Sequence, residues 1–467
     1  MLRLVAHDAG TDWLDAWLGV LDSQARPPAG TVTAGGRNWP APSERWSQLT
    51  EGDRLPAQAR TVWTQKVRIG PGLAAGARHE LTATVGTESA RCMGATLPSR
   101  LPGPLDPPFV ILLGSCFASF RDEEGLAGLT VANLPPAYTP HAKLLIGDQV
   151  YLDNPAWEIM PRDIGGLAAS LLNKYLATWR QGDAQSGFAA ILQTGSTWFL
   201  ADDHEFWNNH PNWSPLLATR GTDDRRTWAA IATDLFAAFS GTPGRALTAG
   251  QRFFVGPVEF YLADTRFGRR TGSDVFMDPA ALDDLMRWLR APAERWPSVL
   301  VIAAPLFTKP AGWFGSTFAD RTLANYRQYP QLVDAVLESP RSLLILGGDV
   351  HFGRVAVSRR SADLELVEIV ASPLALVSDL VGGSFTDAPD QFPVRAGREP
   401  RQRVDQPAWQ GWRGADRGLV MNHFFTLSFS GTEQSMRVEL AAWPIEGTGQ
   451  RAVTPVGTMN FSLTRRP

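Results

Sequence analysis

The stretch Ser342-Leu343-Leu344-Ile345-Leu346-Gly347-Gly348-Asp349-Val350-His351 is a short apolar run that stops at two glycines and then presents a carboxylate and an imidazole two residues apart. A run of this length bounded by glycine reads as a buried strand. The glycines read as backbone that must turn sharply or approach a ligand closely at the strand end. The same texture recurs along the chain. Residues 109–113 run into Gly114-Ser115-Cys116, and 143–146 into Gly147-Asp148-Gln149-Val150-Tyr151. Residues 197–200 precede Asp202-Asp203-His204-Glu205, 259–263 precede Asp264-Thr265-Arg266, and 299–303 form a further apolar run.

Between these runs helical periodicity predicts helices over 163–181, 223–240, 278–290 and 319–337. The third opens on Asp278-Pro279, an acceptor side chain followed by a residue suited to the first helical turn. Strands alternating with helices predict an α/β sandwich. After residue 363 the pattern becomes strand-rich, with 365–370, 424–429 and 436–442, which predicts a second sheet. Residues 1–105 read as a small accessory domain, mostly β, closed by the Pro-rich stretch 97–108, and 106–467 as the catalytic domain. Within the accessory domain, 61–69 and 80–85 predict one antiparallel strand pair. The spacing of Trp13, Leu14, Trp17, Leu18 and Leu21 predicts a helix.

Composition narrows the function classes. The chain has 467 residues, of which 44% are hydrophobic, enough for large buried cores. With 44 basic against 47 acidic residues it carries a formal charge of -3 and no block of like charge, so a nucleic-acid scaffold is not an expected partner. No apolar run approaches a membrane span, and no export signal is visible at the N-terminus, so a cytoplasmic location is expected. Two cysteines, Cys92 and Cys116, exclude a disulfide-stapled scaffold while leaving one bridge open.

The chemistry sits at the strand ends, because in open α/β sheets ligands bind beyond the carboxyl ends of the strands. Two hard cations held close together need several anionic oxygens and a carboxylate between them, and Asp148, Asp203 and Asp349 supply such oxygens. His351 adds an imidazole, Tyr151 a phenolate and Cys116 a thiolate, donors that favour a transition metal such as iron over magnesium. The mixed donor set predicts a mixed metal pair.

Taken in order, Gly-Ser-Cys, Gly-Asp-x-x-Tyr, Asp-Asp-His-Glu followed by Trp207-Asn208-Asn209, Asp-x-Arg and Gly-Gly-Asp-Val-His resemble the PhoD-type alkaline phosphatases of the calcineurin-like metallophosphoesterase superfamily. The motifs span residues 114–351, about half the chain. The resemblance implies a four-layered α/β/β/α sandwich with a dinuclear or larger metal centre, Asp148 bridging and Cys116 and Tyr151 pointing to Fe3+. It places Asp203 and Asp349 at an oxygen-rich second position for which Ca2+ is a natural partner. It implies a proton donor in His204, phosphate or metal contacts for Asn208, Asn209 and Arg266, and attack on a small phosphate ester by a metal-bridging hydroxide.

Each residue also has a plainer reading. An Asp after a strand caps turns, Cys116 can be a small buried hydrophobe, Tyr151 can simply pack, and Arg266 can pair with Asp264. Trp207, Trp213, Trp313 and Phe314 fall on predicted loops where they would line an apolar leaving-group pocket, and 307–318 mixes glycine with aromatics as a mobile lid or a packed loop would. At the level of function, the reading as a phosphomonoesterase or phosphodiesterase stands beside a catalytically silent binding protein of the same fold and a metallohydrolase of a non-phosphate ester.

Overall fold

A computed structural model of the chain describes residues 1–50, 54–155, 158–183, 185–214, 221–242, 244–291, 296–312, 321–361, 364–376, 388–393, 402–407, 418–446 and 453–465. Two central sheets pack face to face. The six-stranded sheet has the order Ser196–Leu200, Ala142–Ile146, Phe109–Gly114, His423–Gly431, Ser435–Pro444, Gly457–Thr464. Its first three strands are parallel and the rest antiparallel. In the nine-stranded sheet Val258–Ala263, Ser298–Ile302, Leu343–Gly347 and Leu364–Val370 run parallel side by side.

Alternation along each strand builds the layers. Ile111, Leu113, Leu144 and Ile146 share one core with Phe260, Leu262, Val299, Leu344 and Leu346 of the facing sheet. Leu112, Leu145 and Phe199 turn the other way, onto the helices Ile164–Arg180, Gly187–Leu192 and Thr222–Phe239. On the far side Tyr261, Leu300 and Ile345 pack under Pro279–Arg290 and Tyr329–Glu338. The result is the four-layered α/β/β/α sandwich.

Helix ends follow the local chemistry. Asp163 accepts from Gly166 N to open Ile164–Arg180, and Asp278 accepts from Ala280 N and Ala281 N at the start of Pro279–Arg290. The helix expected over 319–337 instead divides into a single 3-10 turn, Leu323–Asn325, and Tyr329–Glu338. Pro330 falls in the first turn of the latter, where a proline ring is accepted but blocks continuation from upstream.

Three expectations are corrected. Residues 14–20 are a strand, not a helix, and every one of them is buried. Leu14, Ala16 and Leu18 face the partner sheet of the N-terminal sandwich while Trp17 faces helix Thr222–Phe239, donating to Ala238 O at 2.8 Å. Burial on both faces erases the period of two. Second, Trp63–Ile69 and Arg78–Val85 do not pair. The first lies between Leu14–Val20 and Ser47–Gln48, the second between Gly30–Ala34 and Glu88–Ala95, in two four-stranded sheets. Third, the C-terminal strands add no separate sheet. Leu364–Val370 joins the nine-stranded sheet and the other two complete the six-stranded one. Cys92 and Cys116 are both free and buried. Among the described residues no helix is long and apolar enough to cross a membrane.

Candidate metal centre

Five parallel strands, from both sheets, deliver their carboxyl ends to one place. There Asp148 is the common member of three sets of potential ligands, each with its donor atoms within 4.8 Å of one another: Cys116 with His351, Asp203 with His204, and Asp202 with Asp203 and Asp349. Tyr151 reaches the same carboxylate, its hydroxyl 3.4 Å from Asp148 Oδ2, and its ring lies against His204 with centroids 4.2 Å apart. Cys116, Asp148, Tyr151, Asp203, His204, Asp349 and His351, scattered over 236 positions of sequence, are thus one cluster.

The backbone is forced at these positions. Among the described residues six non-glycine residues have positive φ, and five of them are Cys116, Asp148, Asn209, Asp349 and His351, with φ from 51° to 72°. Such conformations cost about 1–3 kcal/mol each and persist where surrounding structure over-determines them. Glu205 is part of that support. Its buried carboxylate accepts from the backbone of Asp148 (2.9 Å), Gln149 (2.5 Å), Val150 (3.2 Å) and Asp202 (2.7 Å), clamping two ligand-bearing turns together. Gly147 has φ 103°, and a Cβ on Gly348 would stand 2.6 Å from Ser115 Oγ, so these two glycines serve turn and close approach, respectively.

The donor set fits cations. Burial pushes the Asp148 carboxyl well above its usual range, and Asp203, Asp202 and Glu205 add to this against the opposing pull of His204. Burial likewise raises Cys116, with Asp148 adding to it, and raises Tyr151, with Cys116 adding to it. Burial followed by the charge of His204 lowers His351 to about 4, leaving the neutral imidazole a metal requires. Anionic donors crowded out of water in this way are stabilised by a metal ion in place of protons.

His204 differs from its neighbours. Burial works against its imidazolium, but Asp153, Asp203 and Asp148 together outweigh burial and hold it well above the ordinary histidine value. Its Nδ1 lies 2.7 Å from Asp153 Oδ1, while Asp153 Oδ2 accepts from Asn208 N at 2.7 Å. The other ring nitrogen is left for the site.

Arg266 lies buried beside the ligand loop. It is 0% exposed and forms a buried ion pair with Asp202, itself 1% exposed, through Nε at 2.7 Å and through Nη2, and donates to His210 O at 2.8 Å. These contacts prop the ligand loop from beneath, with Asp203 Oδ1 3.9 Å from Nη2. Asp264 caps the turn that follows it, accepting from the backbone of Arg266, Phe267 and Gly268. The main chain of Asn208 and Asn209 also supports the site, Asn208 N donating to Asp153 Oδ2 and Asn209 N to Asp203 Oδ2, each at 2.7 Å. Trp207 is core, donating to Asn212 O and packed on His210, whereas Trp213 is exposed. Trp313, Phe314 and the lid stretch beyond residue 312 lie outside the described residues.

Superposed on solved structures, the chain matches the structure of PhoD with a TM-score of 0.63 at 13% identity, covering 99% of this chain and 90% of that one. The fold is that of PhoD. A purple acid phosphatase, PPD1 from yellow lupin (Lupinus luteus) seeds, matches with a TM-score of 0.57 at 12% identity, covering 99% of this chain and 74% of that one. No family model and no curated protein matches the sequence.

On this PhoD fold the sequence motifs missed three side chains. Asp153 stands five residues after Asp148 and nothing in its neighbourhood marks it. Asp202 and Glu205 were visible in Asp-Asp-His-Glu, but their partners, Arg266 and the turn 148–150, are supplied by other strands.

Proposed function

We propose that the chain is a metal-dependent hydrolase of phosphoric esters, acting on small phosphomonoesters or phosphodiesters. The observation that carries this reading is the sharing of one buried carboxylate, Asp148, by three groups of donors of different chemistry. The PhoD and purple acid phosphatase folds support it.

In this reading Cys116, Tyr151 and His351 would hold a ferric ion, since thiolate, phenolate and imidazole suit it. Asp203 and Asp349 would hold an oxygen-loving cation such as Ca2+, and Asp148 is common to both donor groups. Bound cations supply Lewis acidity toward the phosphoryl oxygens and lower the pKa of coordinated water. The remaining work belongs to the chain. Asp153 orients His204, whose free nitrogen holds a proton for the leaving alkoxide. Arg266 offsets the charge of Asp202 and fixes the loop that carries Asp203. Glu205 holds the turn that aims Asp148.

The test is turnover of p-nitrophenyl phosphate and bis-p-nitrophenyl phosphate with iron and calcium supplied, alongside metal analysis of the wild type and Asp148→Asn. The expected result is hydrolysis of at least one ester, with metal and turnover both lost in D148N. Full metal loading with neither ester cleaved would overturn the phosphoesterase reading.

A further inference from the structure

The sequence motifs use five strand ends, and a sixth reaches the same cluster. Leu364–Val370 lies parallel beside Leu343–Gly347 and ends at Ala371-Ser372-Pro373. Ser372 is fully buried. Its hydroxyl donates to Cys116 Sγ at 3.1 Å and accepts from His351 N at 3.0 Å. The accepted N–H occupies a lone pair of the oxygen, which leaves the hydroxyl proton directed at sulfur. Ser115 Oγ also lies 3.5 Å from the sulfur, but its proton goes to Ala371 O at 2.8 Å. One serine therefore ties Cys116, at the end of a strand in one sheet, to His351, beyond a strand end in the other. Those two residues, with Asp148, form the sulfur-containing donor group.

We propose that Ser372 is a positioning residue for the metal thiolate, holding Cys116 Sγ by an O–H···S bond and setting how strongly the sulfur donates to its cation. The inference rests on the metal-centre reading above. A hydrogen bond to a coordinated sulfur withdraws electron density from it, and outer-shell partners of this kind tune affinity and potential as well as ligand orientation. Removing the proton makes the sulfur a stronger, less restrained donor. It also removes one of two acceptors of the His351 N–H, the Asp349 carbonyl at 3.0 Å remaining.

The experiment loads the full chain with Co2+, and separately with Fe3+, and compares wild type, Ser372→Ala, Ser372→Thr and Ser115→Ala. The readouts are the sulfur-to-metal absorption band and metal affinity by competition with a chromophoric chelator. In S372A the band should move to longer wavelength because the sulfur donates more strongly, while affinity should fall by about tenfold to a hundredfold because the lost orientation of Cys116 and His351 outweighs that gain. S372T, which keeps the hydroxyl, should restore both, and S115A should leave the band where it was. Resonance Raman spectra of the wild type in H2O and D2O give the same information without a variant, because an O–H···S bond makes the metal–sulfur stretch sensitive to exchange. A band unmoved in S372A, or a stretch unmoved by D2O, overturns the inference while leaving the metal centre intact. A wild type that binds metal without any sulfur-to-metal band removes Cys116 from the ligand set and overturns the inference too. A wild type that binds no metal overturns the proposed function as well.

Discussion

Replacing Asp153 by Asn keeps the shape of the side chain that orients His204 and deletes its charge. Both partners are largely out of water, with the His204 side chain 12% and the Asp153 side chain 7% exposed, and their contact is 2.7 Å. A hydrogen bond between ionised groups is worth about 1.5–3 kcal/mol net. Since each 1.36 kcal/mol is tenfold, losing it should reduce the protonated, correctly aimed imidazole by roughly tenfold to 150-fold. That loss matters only where the leaving oxygen needs a proton. A series of aryl phosphates of rising leaving-group pKa should therefore give a steeper fall of kcat/KM in D153N than in wild type. For p-nitrophenyl phosphate the two enzymes should agree within about twofold, and for phenyl phosphate they should diverge by the factor above. Metal content, measured in parallel, should not change. Two parallel lines across the series would refute the assignment of Asp153 and His204 as an acid and its positioning partner.

Other outcomes follow from buried charge elsewhere. Arg266→Met should lower stability by about 3–5 kcal/mol in denaturant unfolding, because it strands Asp202 without its buried partner. A raised KM with an unchanged unfolding midpoint would instead return Arg266 to the phosphate. Lys143, buried in strand Ala142–Ile146, donates to Thr194 O and Gly195 O, and burial brings its pKa down to about 7. Between about pH 7 and the unfolded value of 10.5 the unfolded chain carries a proton that the native chain lacks, so stability rises with pH across that window and the gain is absent below it. Lys143→Met should flatten this slope, which is up to about 1.4 kcal/mol per pH unit, and equal slopes in the two proteins would refute the neutral lysine. Gly147→Ala should destabilise by at least about 1 kcal/mol and weaken metal binding, since φ 103° is strained for any L side chain and the added Cβ meets Asp202 Cβ at 2.6 Å. Unchanged metal affinity in that variant would show that the turn does not aim Asp148.

The local rules that were legible were those that depend on few neighbours. Buried parallel strands are read from uniform apolar runs, helix starts from Asp278-Pro279, and the ligand-bearing turns from the glycines beside Asp148 and Asp349. Where a segment has two buried faces, as in Leu14–Val20, period and propensity no longer separate strand from helix, and the pattern misleads. Alternation in Trp63–Ile69 and Arg78–Val85 identified strands without identifying partners, because a two-fold period is the same whichever sheet a strand enters.

The sequence by itself determined the donor types and the strand ends that carry them: a carboxylate, a thiol, a phenol and an imidazole follow short apolar runs, and those identities hold in any conformation. Only the tertiary structure decided which groups face one another. The resemblance implies a phosphate or metal contact for Arg266, and only the sandwich shows its ion pair with Asp202, since a guanidinium excluded from water needs a carboxylate partner. Asp153, Glu205 and Ser372 acquire roles through contacts with partners 51, 57 and 256 positions away. Such contacts depend on packing two sheets against each other, and no window of sequence contains both ends of them.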